Sequence, residues 1–396
     1  MKNPRLAIDT RCAHAGSDVE EMANRPFQAP IAQSSLFRLG TSAEAEEIFS
    51  GESPGYAYTR FGNPTVDLFA KCIADLEGGS DALITSSGNA AVLCAVTAAM
   101  ANRSGPLVTH PGIYGGSFEL LRLLTETYGL AVNTANPRDP IRWHEALRNA
   151  GAVLIETPSN PLMRLIDITK TVRHAKVAGA PVIVDNTVAT PFNQQPFEHG
   201  ADWIVHSTSK YLNGHSDLIG GAVVKREAMS DRDRRIHKNL GGTVNAIDAW
   251  LATRGLRTFA LRMRQHNLNG EAIANWLSRR PEVRIVHYPG HGDDRQREIR
   301  DRQMKHPGSL LSFELEGGAP AATRFIDRLQ LIIHGVSLGG MESLVTRPAS
   351  SSHRGMNPEA REDAGVSDGL IRLSVGTEDF DDLMTDLDQA LNTCGS

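Results

Sequence analysis

Short apolar runs alternate with helical stretches through the middle of the chain. Five runs of four or five residues, rich in β-forming side chains and bounded by Gly, Pro, Asn or Ser, predict strands. These runs are 82–85, 106–109, 152–156, 181–185 and 203–206. The segments between them predict helices at 90–101, 117–128 and 168–178. Because strands alternate with helices, we predict an α/β fold with a mostly parallel sheet covered on both faces.

The pattern differs on either side of this region. Residues 1–60 predict an irregular arm with Pro and Gly at Arg25-Pro26 and Ser53-Pro54-Gly55, and one polar helix at 42–50. A helix at 65–77 then ends at Gly78-Gly79. The segments predicted after residue 245 are a long helical region at 246–279, strands at 284–287, 310–315, 331–334 and 370–375, and helices at 321–329 and 379–391. We therefore predict an N-terminal arm (1–60), a large α/β domain (61–250) and a smaller C-terminal α+β domain (251–396).

Composition narrows the classes of partner. The 396 residues carry 41 basic and 46 acidic side chains, a net charge of -5, which gives no electrostatic case for nucleic acid or a membrane. The widely spaced Cys12, Cys72, Cys94 and Cys394 indicate neither a disulfide framework nor a zinc site, and we expect no metal. The first ten residues lack the apolar run of a signal peptide. We expect a cytoplasmic protein.

Polar residues follow several predicted strands, at the edge where open α/β sheets bind ligands. Ser87, Gly88 and Asn89 lead into the helix at 90–101, which is typical of a phosphate cradle and equally of an ordinary helix N-cap. Asp185 ends the apolar run 181–184, where a carboxylate needs a cation or several donors. A protonated pyridine nitrogen, a helix cap or a metal ion would each satisfy that need.

Lys210 and Tyr114 extend this pattern. Lys210 follows Ser207-Thr208-Ser209 at a strand end, where its amine could form a Schiff base, although most lysines are simply solvated. Tyr114, in a glycine-flanked loop, could stack on a flat cofactor or fill the core. A phosphate loop, an aromatic ring, an Asp and then Ser-x-Ser-Lys, each after its own strand, agree on pyridoxal phosphate (PLP). Dinucleotide, P-loop, zinc-protease and nucleophile-elbow motifs are missing from the sequence.

Six longer segments add a more specific signal. They are YTRFGNPT at 58–65, ETPSNPL at 156–162, VDNT at 184–187, HSTSKYLNGHSD at 206–217, SLGGMES at 337–343 and RLSVG at 372–376. These segments resemble the Cys/Met-metabolism family of PLP-dependent enzymes, most closely the branch of cystathionine γ-synthase and cystathionine γ-lyase. The match covers nearly the whole chain. It implies the aspartate-aminotransferase-like fold (fold type I) and a homotetramer built from two dimers.

The resemblance also implies roles for individual residues. Lys210 would bind PLP covalently and move protons, Asp185 would pair with the pyridine nitrogen, and Tyr114 would stack on the ring and assist as acid or base. The residues expected around the phosphate are Ser87, Gly88, Asn89, Ser207 and Ser209, with Tyr58 and Arg60 reaching it from the neighbouring subunit. The residues expected to hold the α-amino-acid end of the substrate are Asn160, Ser337 and Arg372. Arg372 would clamp the carboxylate rather than lie as a surface arginine on its strand.

The implied reaction is γ-elimination or γ-replacement on a γ-substituted L-amino acid. Glu119 departs from the branch, because it stands where cystathionine enzymes carry an arginine for the distal carboxylate of the substrate. Drift at a solvent-facing position is one explanation. The other is a substrate with a cationic distal group, for which canavanine is a concrete candidate. Glu342, which the branch shares, keeps cystathionine or O-acyl-homoserine as the alternative substrate.

Two other classes of protein are less well supported. A nucleotide-binding oxidoreductase would need a dinucleotide fingerprint after the first strand. A catalytically dead scaffold would not need to retain Lys210, Asp185, Tyr114 and Arg372 together. We therefore predict a PLP-dependent lyase with a small-molecule amino-acid substrate.

Overall fold

Two sheets of different construction organise the chain. The computed structural model describes residues 6–17 and 26–392, so Arg25, Cys394 and part of the predicted arm lie outside the described residues. The strands are β1 (Asp81–Thr85), β2 (Leu107–Thr109), β3 (Val132–Thr134), β4 (Ala152–Glu156), β5 (Val182–Asp185), β6 (Trp203–Ser207), β7 (Gly221–Lys225), β8 (Val283–His287), β9 (Leu310–Leu315), β10 (Ile333–His334), β11 (Leu344–Thr346) and β12 (Leu370–Ser374).

The helices fall between these strands and at the ends of the described chain. They are α1 (Ile8–Ala13), α2 (Ser42–Ser50), α3 (Pro64–Glu77), α4 (Gly88–Met100), α5 (Gly115–Tyr128), α6 (Pro140–Arg148), α7 (Ile168–Ala175), α8 (Thr190–Asn193), α9 (Asp231–Leu240), α10 (Ala246–Leu256), α11 (Phe259–Leu277), α12 (Asp294–Gln303), α13 (Gly318–Arg328), α14 (Pro358–Ala364) and α15 (Phe380–Asn392). Several begin at side-chain caps, such as Asn63 before α3 and Ser87 before α4.

The first sheet has seven strands in the order β1-β7-β6-β5-β4-β2-β3. The strands β6, β5, β4, β2 and β3 are parallel to one another, while β7 is antiparallel to both β1 and β6. Along β4, Val153 and Ile155 join one hydrophobic cluster, and Ala152 and Leu154 join another on the opposite face. This two-residue alternation buries both faces of the sheet, as parallel strands require.

The second sheet has five strands in the order β10-β11-β12-β9-β8. All its pairings are antiparallel except that of β10 with β11. Its own hydrophobic cluster includes Phe313 of β9, Phe325 of α13 and Leu387 of α15. The predicted division into 1–60, 61–250 and 251–396 stays a prediction, although the two sheets fall on either side of residue 250.

Most predicted elements match the structure within a few residues, and the mostly parallel sheet is confirmed. The helical region predicted at 246–279 was wrong as one segment, because α10 ends at Leu256 and α11 begins at Phe259. The strand predicted at 331–334 shrinks to Ile333–His334. The antiparallel β7 was not predicted. Among the described helices, none has the length and apolarity needed to cross a bilayer.

Candidate active site

Lys210 lies just beyond β6, at the edge where the parallel strands end. Its Nζ donates a hydrogen bond to Ser337 Oγ at 2.6 Å, across 127 residues of sequence. Burial, with a smaller effect from the cationic Arg372, lowers the pKa of Lys210 to about 8. An amine with this pKa is partly uncharged near neutral pH, and only the uncharged form is nucleophilic.

Arg372 connects this lysine to a second group of residues. It lies on β12, is 3% exposed, and donates from Nη1 to Asn160 Oδ1 at 3.2 Å and from Nη2 to the Ser337 carbonyl at 2.6 Å. Its Nε is buried and has no partner among the described residues. Burial lowers the pKa of Arg372 to about 10, although Tyr114, Tyr211 and Glu156 nearby oppose this shift. A buried guanidinium with a free donor is suited to bind a carboxylate.

Two acidic side chains lie next to each other at the ends of β4 and β5. Glu156 and Asp185 are paired in the register of these parallel strands. Burial raises the pKa of Glu156 well above its usual range, and the neighbouring Asp185 adds to the shift. Burial also raises the pKa of Asp185, against hydrogen bonds from Thr187 and the charge of His206. Two adjacent carboxyl groups, one buried and one half-buried, need a cation or strong donors in this cleft.

The predicted phosphate ligands meet where β1 and β6 end. A Cβ on Gly88 would lie 2.8 Å from Ser207 Cβ, so only glycine lets α4 begin against Ser207. Ser87 Oγ caps α4 by accepting from Ala90 N at 3.1 Å. Ser209 Oγ accepts from Gly220 N at 2.9 Å. Backbone N–H groups at the start of α4 and these hydroxyls form a small anion-binding surface.

Tyr114 and Asn89 join this surface to α5. Tyr114 N donates to Glu156 Oε2 at 2.6 Å, while its side chain is 41% exposed. A Cβ on Gly116 would lie 2.5 Å from Tyr114 Cε1, so the glycine leaves room for the ring. Asn89 Nδ2 donates to the Gly116 carbonyl at 3.2 Å. The ring of Tyr114 is therefore held beside the cleft with part of its surface open.

Three predicted site residues lie apart from Lys210 within the described chain. Arg60 donates to the Lys238 carbonyl at 3.0 Å and lies over the rings of Tyr58 and Phe61. Glu119, on α5, accepts from Arg122 at 2.7 Å through Oε2. Its Oε1 is buried without a partner among the described residues, and a Cβ on Gly355 would lie 3.2 Å from it.

Two residues of the site were not assigned roles from the sequence. Glu156 could have been found, because it ends an apolar strand as Asp185 does. His353 is 1% exposed, bonds through Nδ1 to Ser352 Oγ at 2.9 Å, and has a buried Nε2 without a partner in the described chain. Burial, with a smaller contribution from Arg372, lowers the pKa of His353 to about 4. No local sequence pattern distinguishes this histidine from a core residue.

The donor set fits pyridoxal phosphate. An uncharged lysine amine suits the aldehyde, a buried carboxyl group suits a protonated pyridine nitrogen, and the Gly88 and Ser207 contact leaves hydroxyl and N–H donors for a phosphate. The described residues contain no group of three or more His, Cys, Asp or Glu side chains arranged to hold a metal ion.

This fold and site define a PLP-dependent enzyme of fold type I. Residues 9–392 match the family model described as Cys/Met metabolism PLP-dependent enzyme. The chain is 38% identical over 385 residues to the L-methionine gamma-lyase of Pseudomonas putida, covering 96% of each protein. It is 35% identical to the O-succinylhomoserine sulfhydrylase of Pseudomonas aeruginosa, covering 97% of this chain and 95% of that protein. The chain belongs to the Cys/Met-metabolism family of PLP-dependent enzymes.

Solved structures agree with this assignment. The cystathionine gamma synthase of Xanthomonas oryzae pv. oryzae, in complex with cystathionine, superposes with a TM-score of 0.92. It is 40% identical to this chain, and the match covers 98% of this chain and 99% of that one. The predictions of the fold, the PLP cofactor and γ-elimination or γ-replacement chemistry on a γ-substituted amino acid are confirmed. The names of these relatives give canavanine no support.

Proposed function

We propose that this chain eliminates or replaces the γ-substituent of an L-amino acid that Arg372 and Lys210 hold between them. The observation that carries the proposal is the chain of contacts from Lys210 Nζ through Ser337 to Arg372. Ser337 thus contacts both the amine of Lys210, which is suited to proton transfer, and the guanidinium of Arg372, which is suited to carboxylate binding. An α-amino acid bound there would have its carboxylate on Arg372 and its α-carbon near Lys210.

Arg372 orients the substrate in this proposal. Its Nε, which has no partner among the described residues, and the adjacent Nη2 share one edge of the guanidinium and would present a fork to the carboxylate. Because the guanidinium is buried, water does not solvate its charge. The carboxylate of the substrate would supply the compensating negative charge. Asn160 and Ser337 then fix the direction of the guanidinium and of the bound amino acid.

Lys210 and Tyr114 move the protons. PLP, when bound, supplies an electron sink that acidifies hydrogens at the α- and β-carbons of an amino acid. The amine of Lys210 removes the proton at Cα and then one at Cβ. The Tyr114 hydroxyl, whose ring is partly open beside the cleft, delivers a proton to the group leaving Cγ. Hydrolysis of the unsaturated amino acid that remains then gives a 2-oxo acid and ammonia. Alternatively, a nucleophile adds at Cγ, where the leaving group was bound.

Other residues would hold the cofactor. Asp185 would face the pyridine nitrogen and Tyr114 would stack on the ring. The residues that would bind the phosphate are Ser87, Gly88, Asn89, Ser207 and Ser209. The contact of Gly88 with Ser207, and the bond of Asn89 to the first turn of α5, support this assignment.

We also propose that the enzyme is a cytoplasmic homotetramer whose sites are shared within each dimer, with Tyr58 and Arg60 supplied by a neighbour. Within the described chain Arg60 contacts Lys238, Tyr58 and Phe61 rather than Lys210. Phe27, Phe49 and Phe61 in the same part of the chain are 81%, 62% and 45% exposed. Exposed aromatic side chains in an arm support burial against another subunit.

Subunit mixing tests the shared site. Inactive Arg60→Ala and Lys210→Ala proteins are dissociated together and reassembled. Random pairing should restore about a quarter of wild-type activity, because half of the dimers then contain one intact site out of two. An Arg38→Ala protein, changed at another arginine of the arm, should be active without mixing, which would show that the loss of activity is specific to Arg60. Activity that stays at the level of the separate variants would place Arg60 in its own subunit's site.

A substrate panel tests the reaction. Purified enzyme should be yellow and should bleach on borohydride reduction. Release of 2-oxo acid and ammonia is then measured for methionine, cystathionine, O-succinylhomoserine and canavanine, each with and without an added thiol. Turnover of at least one γ-substituted amino acid supports the proposal. Turnover only of β-substituted amino acids, or of none, would contradict it.

A further inference from the structure

A cavity that Lys210 does not line lies between the two sheets. It has a volume of about 800 Å³ and is lined by the loop after β4, the start of α6, the end of β8 and the start of α12. Its wall is partly apolar, with Trp143, Leu162 and Ile285. Lys210, Asp185 and Arg372 do not line it. The cavity is thus separate from the site that holds the cofactor and the substrate carboxylate.

Three arginines give this cavity an excess of positive charge. Arg138, Arg164 and Arg295 all line it. The guanidinium of the half-buried Arg164 has no hydrogen bond or ion pair with any described residue, and its Nη2 lies against Gly365. Burial, and then the charge of Arg138, lower the pKa of Arg164. Two like charges therefore line one wall, and neither is paired with an acidic side chain among the described residues.

Only two acidic side chains, Asp167 and Asp293, line the described wall against the three arginines and Lys170, so the wall keeps an excess of positive charge. Asp167 is already paired with Arg302 at 2.6 Å and with Lys170 at 3.7 Å. Asp293 caps α12 by accepting from Gln296 N at 2.9 Å. His174, His287 and His291 also line the wall, and burial lowers the pKa of each, which favours the neutral imidazole. An oxyanion is the kind of ligand that would balance the positive charge of this wall.

We propose that this cavity binds a small organic anion whose carboxylate or phosphate group pairs with Arg164 and Arg138. The guanidinium forks match either oxyanion, and the apolar wall provides room for a short carbon skeleton. The proposal does not depend on the identity of the amino acid that the active site converts.

Arg164 also connects the cavity to the active site. Arg164 N donates to Ser159 Oγ at 3.2 Å, and Ser159 N donates to the Arg164 carbonyl at 2.9 Å. Ser159 precedes Asn160, which bonds to Arg372. Gly112, two residues before Tyr114, lines the same cavity. An anion that fixes Arg164 therefore acts on the loop that orients the substrate clamp, and should change the KM of the amino acid.

Calorimetric titration of the PLP-loaded enzyme tests the site. The probes are inorganic phosphate, pyrophosphate and citrate, at an ionic strength kept constant with chloride. Loading with PLP keeps its own phosphate site filled, so the probes report on other sites. We expect at least one probe to bind with a Kd of about a millimolar or below. Citrate alone would identify a carboxylate ligand, and phosphate or pyrophosphate alone would identify a phosphate ligand.

Matched variants decide whether the arginines are responsible. Arg164→Ala and Arg138→Ala should each weaken binding about tenfold or more. Arg142→Ala, an exposed arginine of α6 outside the cavity wall, should leave binding unchanged. Cofactor content and melting temperature show that each variant is folded. Failure of all three probes to bind, or equal binding by wild type and Arg164→Ala, would overturn the proposal.

Steady-state kinetics test the connection to the active site. At a saturating concentration of the bound probe, the KM of the amino acid should change about fivefold, a typical coupling between two sites. The change should disappear in Arg164→Ala and remain in Arg142→Ala. An unchanged KM in the presence of a bound probe would overturn the connection through Ser159.

Discussion

The cofactor side and the substrate side of the active site differ in where their residues come from. On the cofactor side, Ser87, Asp185 and Ser207 follow or end three strands of one sheet, β1, β5 and β6, which end at the same edge. On the substrate side, Arg372 on β12 of the second sheet bonds to Asn160, in the loop after β4 of the first sheet, and to Ser337, in the loop after β10. The cofactor side thus depends on one sheet, whereas the substrate side depends on how two sheets are packed together.

Charge differs in the same way. The cofactor side contains two neighbouring acids, Glu156 and Asp185, whose pKa values are raised. The substrate side contains the cationic Arg372, whose pKa burial lowers. Binding of a cationic group should therefore be favourable on the cofactor side, and binding of an anionic group should be favourable on the substrate side. Changes on the cofactor side should affect all substrates alike, while changes on the substrate side should affect KM and substrate choice.

The largest effect is expected for Lys210→Ala, on the cofactor side. Loss of the amine removes both covalent attachment and proton transfer, so kcat should fall about 10⁴-fold or more for every substrate. The measurements are turnover and borohydride trapping of the cofactor. Lys305→Ala, an exposed lysine after α12, is the control. Retained turnover with a reducible cofactor would show that another lysine performs this role.

On the substrate side, Arg372→Gln should lower kcat/KM about 100- to 1,000-fold, mostly through KM. The reason is the loss of a buried charge-assisted pair with the carboxylate. Cofactor content should stay near that of wild type. Arg328→Gln, an exposed arginine at the end of α13, is the matched control. An unchanged KM, or a loss confined to cofactor binding, would contradict the division into two sides.

Glu119→Arg tests substrate choice with a smaller expected effect. Arg122 already holds Glu119 Oε2, and the Glu119 side chain is 36% exposed, so we expect about a tenfold change in the ratio of kcat/KM for canavanine to that for cystathionine. The variant should favour the distal carboxylate of cystathionine over the distal cation of canavanine. Glu126→Arg is the control, because Glu126 pairs with the same arginine at 2.8 Å on the same helix. If wild type and Glu119→Arg rank the substrates in the same order, Glu119 takes no part in substrate choice.

The smallest effect concerns pH and connects the two sides. The rate at which the apoenzyme takes up PLP should rise as pH increases through about 8, because the uncharged amine of Lys210 is the reactive form. In Arg372→Gln the midpoint should move to higher pH by roughly half a unit, since one cation that disfavours protonation is lost. Arg328→Gln should retain the wild-type midpoint. A constant midpoint in Arg372→Gln would show that burial alone sets this pKa. A midpoint that falls would contradict the effect of the Arg372 charge.

The sequence could predict the cofactor side because its signals are local. A polar residue directly after an apolar strand lies at the ligand-binding edge of a parallel sheet, whatever the rest of the chain does. The same rule indicates Glu156, to which we assigned no role from the sequence. The break between α10 and α11 was missed, because no proline marks Arg257 or Thr258, where the first helix ends.

The sequence by itself determined the class of fold, the cofactor and the family chemistry, because the alternation of strands and helices, the helix caps and the Lys210 segment are local patterns of a few residues each. Only the tertiary structure decided that Lys210 bonds to Ser337, and that, within the part of the chain that the structure describes, Arg372 keeps a free donor and Arg164 lines a cavity without an acidic partner. These features depend on contacts between residues far apart in the chain. Their geometry follows from the packing of the two sheets, which local propensity does not encode.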